Sequence, residues 1–247
     1  MKTPLSDFLA RNPFPHGLTD GLFYREKMRA IHRIAPQHLG DGGTRGRILE
    51  IGGGRSGLAR LLYPDADVVT IDLDFQLGGR GPTGSGGAFV CGDACHLPFG
   101  NELFDAVTLF DVLEHIATDE LAVKEAVRVT RANGVVLVST PNTDWRYPFY
   151  GFMRNLCPNE AELMARWGHV RRGYSAQELV RLFGVPPERS ATFINPVTSF
   201  YHDVAFSRLK RRSRKLIYGL AAPIVSIGYL AHRPTMRGSE TAFAWRR

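Results

Sequence analysis

Cysteine and lysine are scarce in this 247-residue chain. It has three cysteines, Cys91, Cys95 and Cys157, and five lysines against 26 arginines. Three thiols cannot build a disulfide framework, and so few suit a reducing compartment. Cys91-x-x-x-Cys95-His96 lacks a second pair of ligands, so no zinc site is expected. Long apolar runs are missing too. The uncharged stretch Leu216–Ala231 has 16 residues, is interrupted by Gly219, Pro223 and Gly228, and falls short of a bilayer span of about 20. Met1-Lys2-Thr3-Pro4 has no apolar core of a secretion signal, which leads to the expectation of a cytoplasmic protein. With 44% hydrophobic residues, the composition excludes collagen-like and fully disordered chains. The length suits one large domain with a core that needs no staples.

Acidic residues are unevenly spread. Residues 1–200 hold 21 basic and 22 acidic side chains, whereas residues 201–247 hold 10 basic and 2 acidic. The net charge of +7 therefore belongs to the last fifth of the chain. An enzyme of nucleic acids would more often spread positive charge around its site, so nucleic acid is disfavoured as a partner. The basic segment suits an anionic surface, membrane or RNA, or a solvated face.

The elements alternate. Thr19–Ile34 reads as a helix stopped by Pro36, and Gly40–Gly46 as a linker. Strands are expected at Arg47–Ile51, Val68–Ile71, Ala88–Cys91, Ala106–Phe110 and Val135–Ser139. Helices are expected near Leu58–Leu62, from a Thr118 cap to Asn133-Gly134, and from Ser175 to Phe183. Residues 78–87, with six glycines, read as a loop. Thr192–Phe200 and Thr241–Trp245 read as two late strands, flanking the basic run Arg208–Lys215 and the uncharged Leu216–Ala231. Apolar strands between helices make an α/β doubly wound, mostly parallel sheet. The expected organisation is an N-terminal helical cap, 1–45, and one domain, 46–247, with an insert at 203–237.

Glu50-Ile51-Gly52-Gly53-Gly54-Arg55-Ser56-Gly57 follows the first strand, and Asp72 ends the second. The glycines permit a tight turn and close approach of a ligand, and the acid can accept ribose hydroxyls. This much suits a dinucleotide or S-adenosylmethionine. Glu50 favours the second, because a carboxylate beside the turn would repel a pyrophosphate and support a cation.

Two more segments follow in order: Gly92-Asp93-Ala94-Cys95-His96-Leu97-Pro98-Phe99, and Phe104 to Ile116 with its Leu113-Glu114-His115 element. With the glycine turn, these closely resemble class I S-adenosylmethionine-dependent methyltransferases, in the branch of ubiquinone/menaquinone-biosynthesis, natural-product and sugar enzymes. The resemblance covers about residues 45–185. It implies a seven-stranded Rossmann-like sheet whose last strand is antiparallel. It also implies that Glu50, Gly52, Gly53 and Gly54 form the methionine side of the cofactor site, although Gly53 and Gly57 can serve packing alone. By the same resemblance Asp72 holds the ribose, Leu73 packs on the adenine, Asp93 faces its amino group with Ala94 beside it, and Phe110 lies by the methionine, although Asp72 and Asp93 could merely cap loops.

Methyl transfer needs alignment above all, and a general base helps if the acceptor is a hydroxyl. The candidates are Asp111, Glu114, His115 and His169, each with a structural alternative. Arg171 and Arg172 could meet an anionic acceptor or solvent. Trp145–Phe152 could form a lid or pack beneath the N-terminal helices. No metal is expected. The expectation is O-methylation of a small-molecule or lipid-linked acceptor, with the basic-apolar segment 208–231 peripheral on the inner face of an anionic membrane. The alternatives are a soluble natural-product or sugar methyltransferase that dimerises through the insert, and a non-catalytic S-adenosylmethionine-binding module.

Overall fold

The structure, a computed structural model, describes residues 1–14, 20–40, 45–53, 57–77 and 88–247. Its strands are β1 (Arg47–Ile51), β2 (Asp67–Asp72), β3 (Ala88–Cys91), β4 (Phe104–Phe110), β5 (Thr130–Pro141), β6 (Arg189–Phe193) and β7 (Glu240–Arg246). They form a seven-stranded sheet in the order β3-β2-β1-β4-β5-β7-β6. β7 runs antiparallel to both neighbours, and the other pairs are parallel. This is the sheet the sequence led us to expect. The strand order reverses between β1 and β4, so the crevice at their carboxyl ends is where a ligand binds in such a sheet.

Helices cover both faces. On one, α1 (Leu5–Ala10), α2 (Asp20–Ile34) and α3 (Leu58–Leu62) bury Phe8, Met28, Ile31 and Leu62 with Ile48, Ala106 and Leu137 of the sheet. On the other, α4 (Asp119–Val129) and α6 (Ala176–Phe183) bury Val123, Ala126 and Leu179 with Leu49, Val107 and Val138. Inward side chains on alternate strand positions feed each face. A third cluster gathers Trp145, Tyr147 and Leu163 with Tyr201 and Val204. It joins α5 (Glu160–Trp167), α7 (Pro196–Phe206) and α8 (Arg211–Ala231).

Local chemistry sets the ends of these elements. Ser175 and Glu178 form a reciprocal capping box at α6, which closes on Gly184 in the left-handed region. Three expectations are corrected. The Thr118 side chain does not cap α4; its hydroxyl meets Cys95 Sγ instead. α4 stops at Val129, because Thr130 is already extended and pairs with Phe104. The strand expected over Thr192–Phe200 ends at Phe193. Asn195 accepts hydrogen bonds from the amides of Val197 and Thr198, and Pro196 supplies the first helical residue of α7. The basic run and the uncharged stretch behind it are largely one helix, α8, with Pro223 inside. The glycine-rich loop at 78–87 lies outside the described residues.

Glu26 of α2 is buried. Its Oε1 accepts a hydrogen bond from Thr198 Oγ1 at 3.2 Å. Burial pushes its pKa up to about 8. The fold therefore holds the proton more tightly than the unfolded chain does. Stability falls as pH rises from the ordinary carboxylate range through about 8. Glu26→Gln keeps the shape and cannot ionise. It is expected to stabilise the protein by a few kcal/mol at about pH 9 and by less at about pH 6. Thermal melts at the two pH values check this, and a gain independent of pH contradicts it.

Candidate active site

Gly52 and Gly53 follow β1 and pass over a carboxyl group. Glu50 is buried; its Oε1 accepts from the Ala59 amide at 2.9 Å and its Oε2 from Thr70 Oγ1 at 3.4 Å. Burial raises its pKa. Gly53 passes directly above, where an added Cβ would sit 2.7 Å from Glu50 Cδ. Gly52 has φ +64°, and a Cβ there would meet Val112 Cγ2 at 2.5 Å. Glu50 therefore braces the turn from below, tying it to α3 and β2. Gly53 is needed for that packing, as the alternative for it allowed. Gly54 lies outside the described residues.

Asp72 stands at the carboxyl end of β2 and accepts from the Asp74 amide at 3.1 Å. Asp93 follows β3, accepts from the Cys95 amide at 2.9 Å and lies 3.1 Å from His96 Nδ1. Those two contacts, the amide first, hold its pKa low. Both acids cap their own loops while half exposed at the mouth of the crevice. Leu73 is 75% exposed and Phe75 is 71% exposed beside them. Ala94 and Phe110 are buried close to the same strand ends. Apolar surface beside two carboxylates and a glycine turn fits an adenine, a ribose diol and an amino-acid tail.

Beyond β4 lies a cavity of about 200 Å³. Asp111, Glu114 and Glu240 line it with Phe23, Trp145, Trp167, His169, His202 and Phe206. Asp111 has φ +54°. Its Oδ2 takes Lys27 Nζ at 2.5 Å and its Oδ1 takes Ser139 Oγ at 2.6 Å, so both oxygens are engaged. Burial opposes the Lys27 charge, but Asp111 outweighs it and raises the lysine's pKa. Glu114 is fully buried, with Oε2 3.4 Å from Thr140 Oγ1 and Oε1 unpartnered. Burial, then the Asp111 charge, pushes its pKa up to about 8. The same two causes raise Glu240.

His169 and His115 meet edge-on, with centroids 4.7 Å apart. His115 is exposed and its Nδ1 lies 3.1 Å from Gly168 O. His169 Nδ1 is buried without a partner, and burial lowers its pKa to about 4. Glu114, His115 and His169 bring one ligand atom each within 4.8 Å of one another, a spacing a cation could use. Arg171 pairs with Asp119 and Arg172 with Glu160, so each guanidinium already has a carboxylate partner. Trp145 is buried and lines the cavity, and Tyr147 is buried and stacked against it, whereas Phe152 is exposed.

Sequence reasoning missed Lys27, His202, Trp167 and Glu240. They come from four distant segments, and no spacing in the sequence links them. Only the scarcity of lysine marks Lys27.

Residues 49–138 match the methyltransferase domain family. Over these residues the chain carries a methyltransferase domain. A demethylmenaquinone methyltransferase from Renibacterium salmoninarum is 32% identical over 116 residues, 44% of this chain and 46% of that protein. The Mycobacterium bovis protein of the same name is 49% identical over 55 residues, 21% of this chain and 24% of that protein. The chain thus spans less than half the length of these curated relatives. Among solved structures, a methyltransferase from Thermotoga maritima, titled a possible histamine N-methyltransferase, superposes with TM-score 0.59 at 17% identity, covering 93% of this chain and 91% of that one. The N-methyltransferase NodS from Bradyrhizobium japonicum, crystallised with S-adenosylhomocysteine, gives TM-score 0.57 at 15% identity, with 99% of each chain covered. At such identities these two carry the fold.

Asp72→Ala is expected to weaken S-adenosylhomocysteine binding by at least about tenfold, the loss of charge-assisted hydrogen bonds to a diol. Gly52→Ala should weaken it too, through its positive φ and the Val112 clash. Calorimetric titration checks both, with circular dichroism confirming the fold. Unchanged affinity in Asp72→Ala contradicts the assignment.

Proposed function

We propose that the protein transfers a methyl group from S-adenosylmethionine to a hydroxyl of a small-molecule or lipid-linked acceptor seated in the 200 Å³ cavity. The observation that carries this reading is one cavity wall. There His169 Nδ1 and Glu114 Oε1 are buried without partners among the described residues, beside aromatic side chains that suit a flat, apolar acceptor. The name of the curated relatives supports a flat, quinone-type ring as acceptor and not the choice of a hydroxyl.

S-adenosylmethionine supplies a methyl group already activated on a sulfonium. In this reading Asp72 and Asp93 hold the nucleoside, Leu73 covers the adenine, and the Glu50-braced turn carries the amino-acid end. Trp145, Trp167 and Phe206 orient the acceptor and exclude water, which supplies alignment. His169 is neutral at pH 7, so it can accept the hydroxyl proton as the new carbon–oxygen bond forms. Glu114 is largely protonated at that pH and donates a hydrogen bond rather than taking a proton. Asp111 and His115 take positioning roles: the first fixes Lys27, the second backs the His169 ring.

Methyl-labelled S-adenosylmethionine, incubated with the protein and a lysate of its own organism, tests the proposal against an Asp72→Ala control. Control-sensitive label in the organic or small-molecule fraction is expected. Label confined to precipitated macromolecules, or none, contradicts it. Once an acceptor is in hand, His169→Asn should lower kcat by about 10²–10⁴-fold. Glu114→Gln should stay within a few fold of wild type at pH 7. Because burial lowers the His169 pKa, the acid limb of the rate profile should fall near pH 4–5 and not near 6.5. A chelator should leave the rate unchanged; a chelator-sensitive rate would assign the Glu114, His115 and His169 cluster to a cation and remove His169 as the base.

A further inference from the structure

One face of α8 has no partner. Its inner face is packed: Tyr218 and Val225 are buried, the Tyr201 hydroxyl donates to Tyr218 O, and Gly228 lies against Val197 of α7. Leu216, Leu220, Ile224, Ile227 and Leu230 point the other way, each 65–74% exposed. Their spacing of four, four, three and three residues aligns them in one stripe along the helix. Exposed apolar residues are ordinarily scattered singly, and a continuous stripe marks a surface that something covers.

The charge beside the stripe says what covers it. Lys210, Arg211, Arg212 and Lys215 are exposed where α8 begins. Among the described residues no carboxylate pairs with any of the four, whereas Arg208 pairs with Glu162 and Arg214 donates to Ala205 O. Residues 204–239 contain no Asp or Glu. A second copy of this face would bring the same sign of charge and no counter-charge. An anionic lipid surface offers both what the cations lack and what the stripe needs. No helix among the described residues is long and apolar enough to cross a membrane.

We infer that α8 docks the protein on an anionic lipid surface, lying in the interface with its five-residue stripe inserted and its basic end on the headgroups. The position of the helix makes this useful. Tyr201 and Val197 of α7 meet α8, while His202 and Phe206 of the same helix line the acceptor cavity. One helix therefore separates the lipid surface from the cavity. The docking itself does not depend on the proposed reaction.

Flotation of the full chain with phosphatidylcholine vesicles, with and without phosphatidylglycerol, at low and high salt, tests it. Binding to the anionic vesicles, weakened by salt, is expected. Ile224→Glu should reduce that binding by at least about tenfold, the loss of one inserted side chain. The double variant Arg211→Gln/Arg212→Gln should also reduce it by at least about tenfold. Both substitutions are at exposed positions, so melting temperatures should stay near wild type. Equal binding to neutral and anionic vesicles, or no binding to either, overturns the inference. So does light scattering that shows a dimer dissociated by Ile224→Glu in a protein that ignores vesicles, which would make the stripe a contact between copies.

Discussion

The site depends on the ion pair between Lys27 and Asp111. Asp111 follows β4 with φ +54°, a conformation that non-glycine residues adopt only where their surroundings hold them. Here the holders are Ser139 of β5 and Lys27 of α2. Three elements far apart in sequence are thus tied at one carboxylate, beside the strand-order reversal. Lys27 also lies in the field of Glu114, Glu240 and Glu50, where its charge offsets part of their burial. Removing one partner of such a pair leaves a buried charge, typically a loss of about 3–5 kcal/mol. The N-terminal helices therefore belong to the site as well as to the core.

Two halves meet at this knot. The half that the proposed reading gives to the cofactor is built from consecutive strand ends, β1 to β4, each contributing a turn and an acid or an apolar surface. The acceptor half is assembled from α2, the 145–169 segment, α7 and the start of β7. A domain that keeps the first half and varies the second can serve many acceptors, since the reactive methyl comes from the cofactor and the protein supplies alignment and a proton acceptor.

The legibility of the sequence follows the same division. The places of Glu50, Gly52, Asp72 and Asp93 at strand ends were readable because each sits within a few residues of a strand whose apolar run announces it. The cavity was not, because Phe23, Lys27, His202 and Glu240 share no local pattern. Thr192–Phe200 misled because β-branched and aromatic residues on both sides of Asn195-Pro196 suggest a strand, while the cap and the helix-starting proline in the middle decide otherwise. The stripe on α8 could be seen as an uncharged segment. Which side faced outward was settled by Tyr218 and Val225 packing on α7, a tertiary fact.

The central claim is that the cofactor's reacting end opens onto the aromatic cavity beyond β4. The most direct measurement is a crystal structure with S-adenosylhomocysteine bound. The account predicts adenine against Leu73, ribose on Asp72, and the thioether sulfur at the cavity mouth between Asp111 and His169. A sulfur turned away from Glu114 and His169, or an adenine seated away from Leu73, would contradict it.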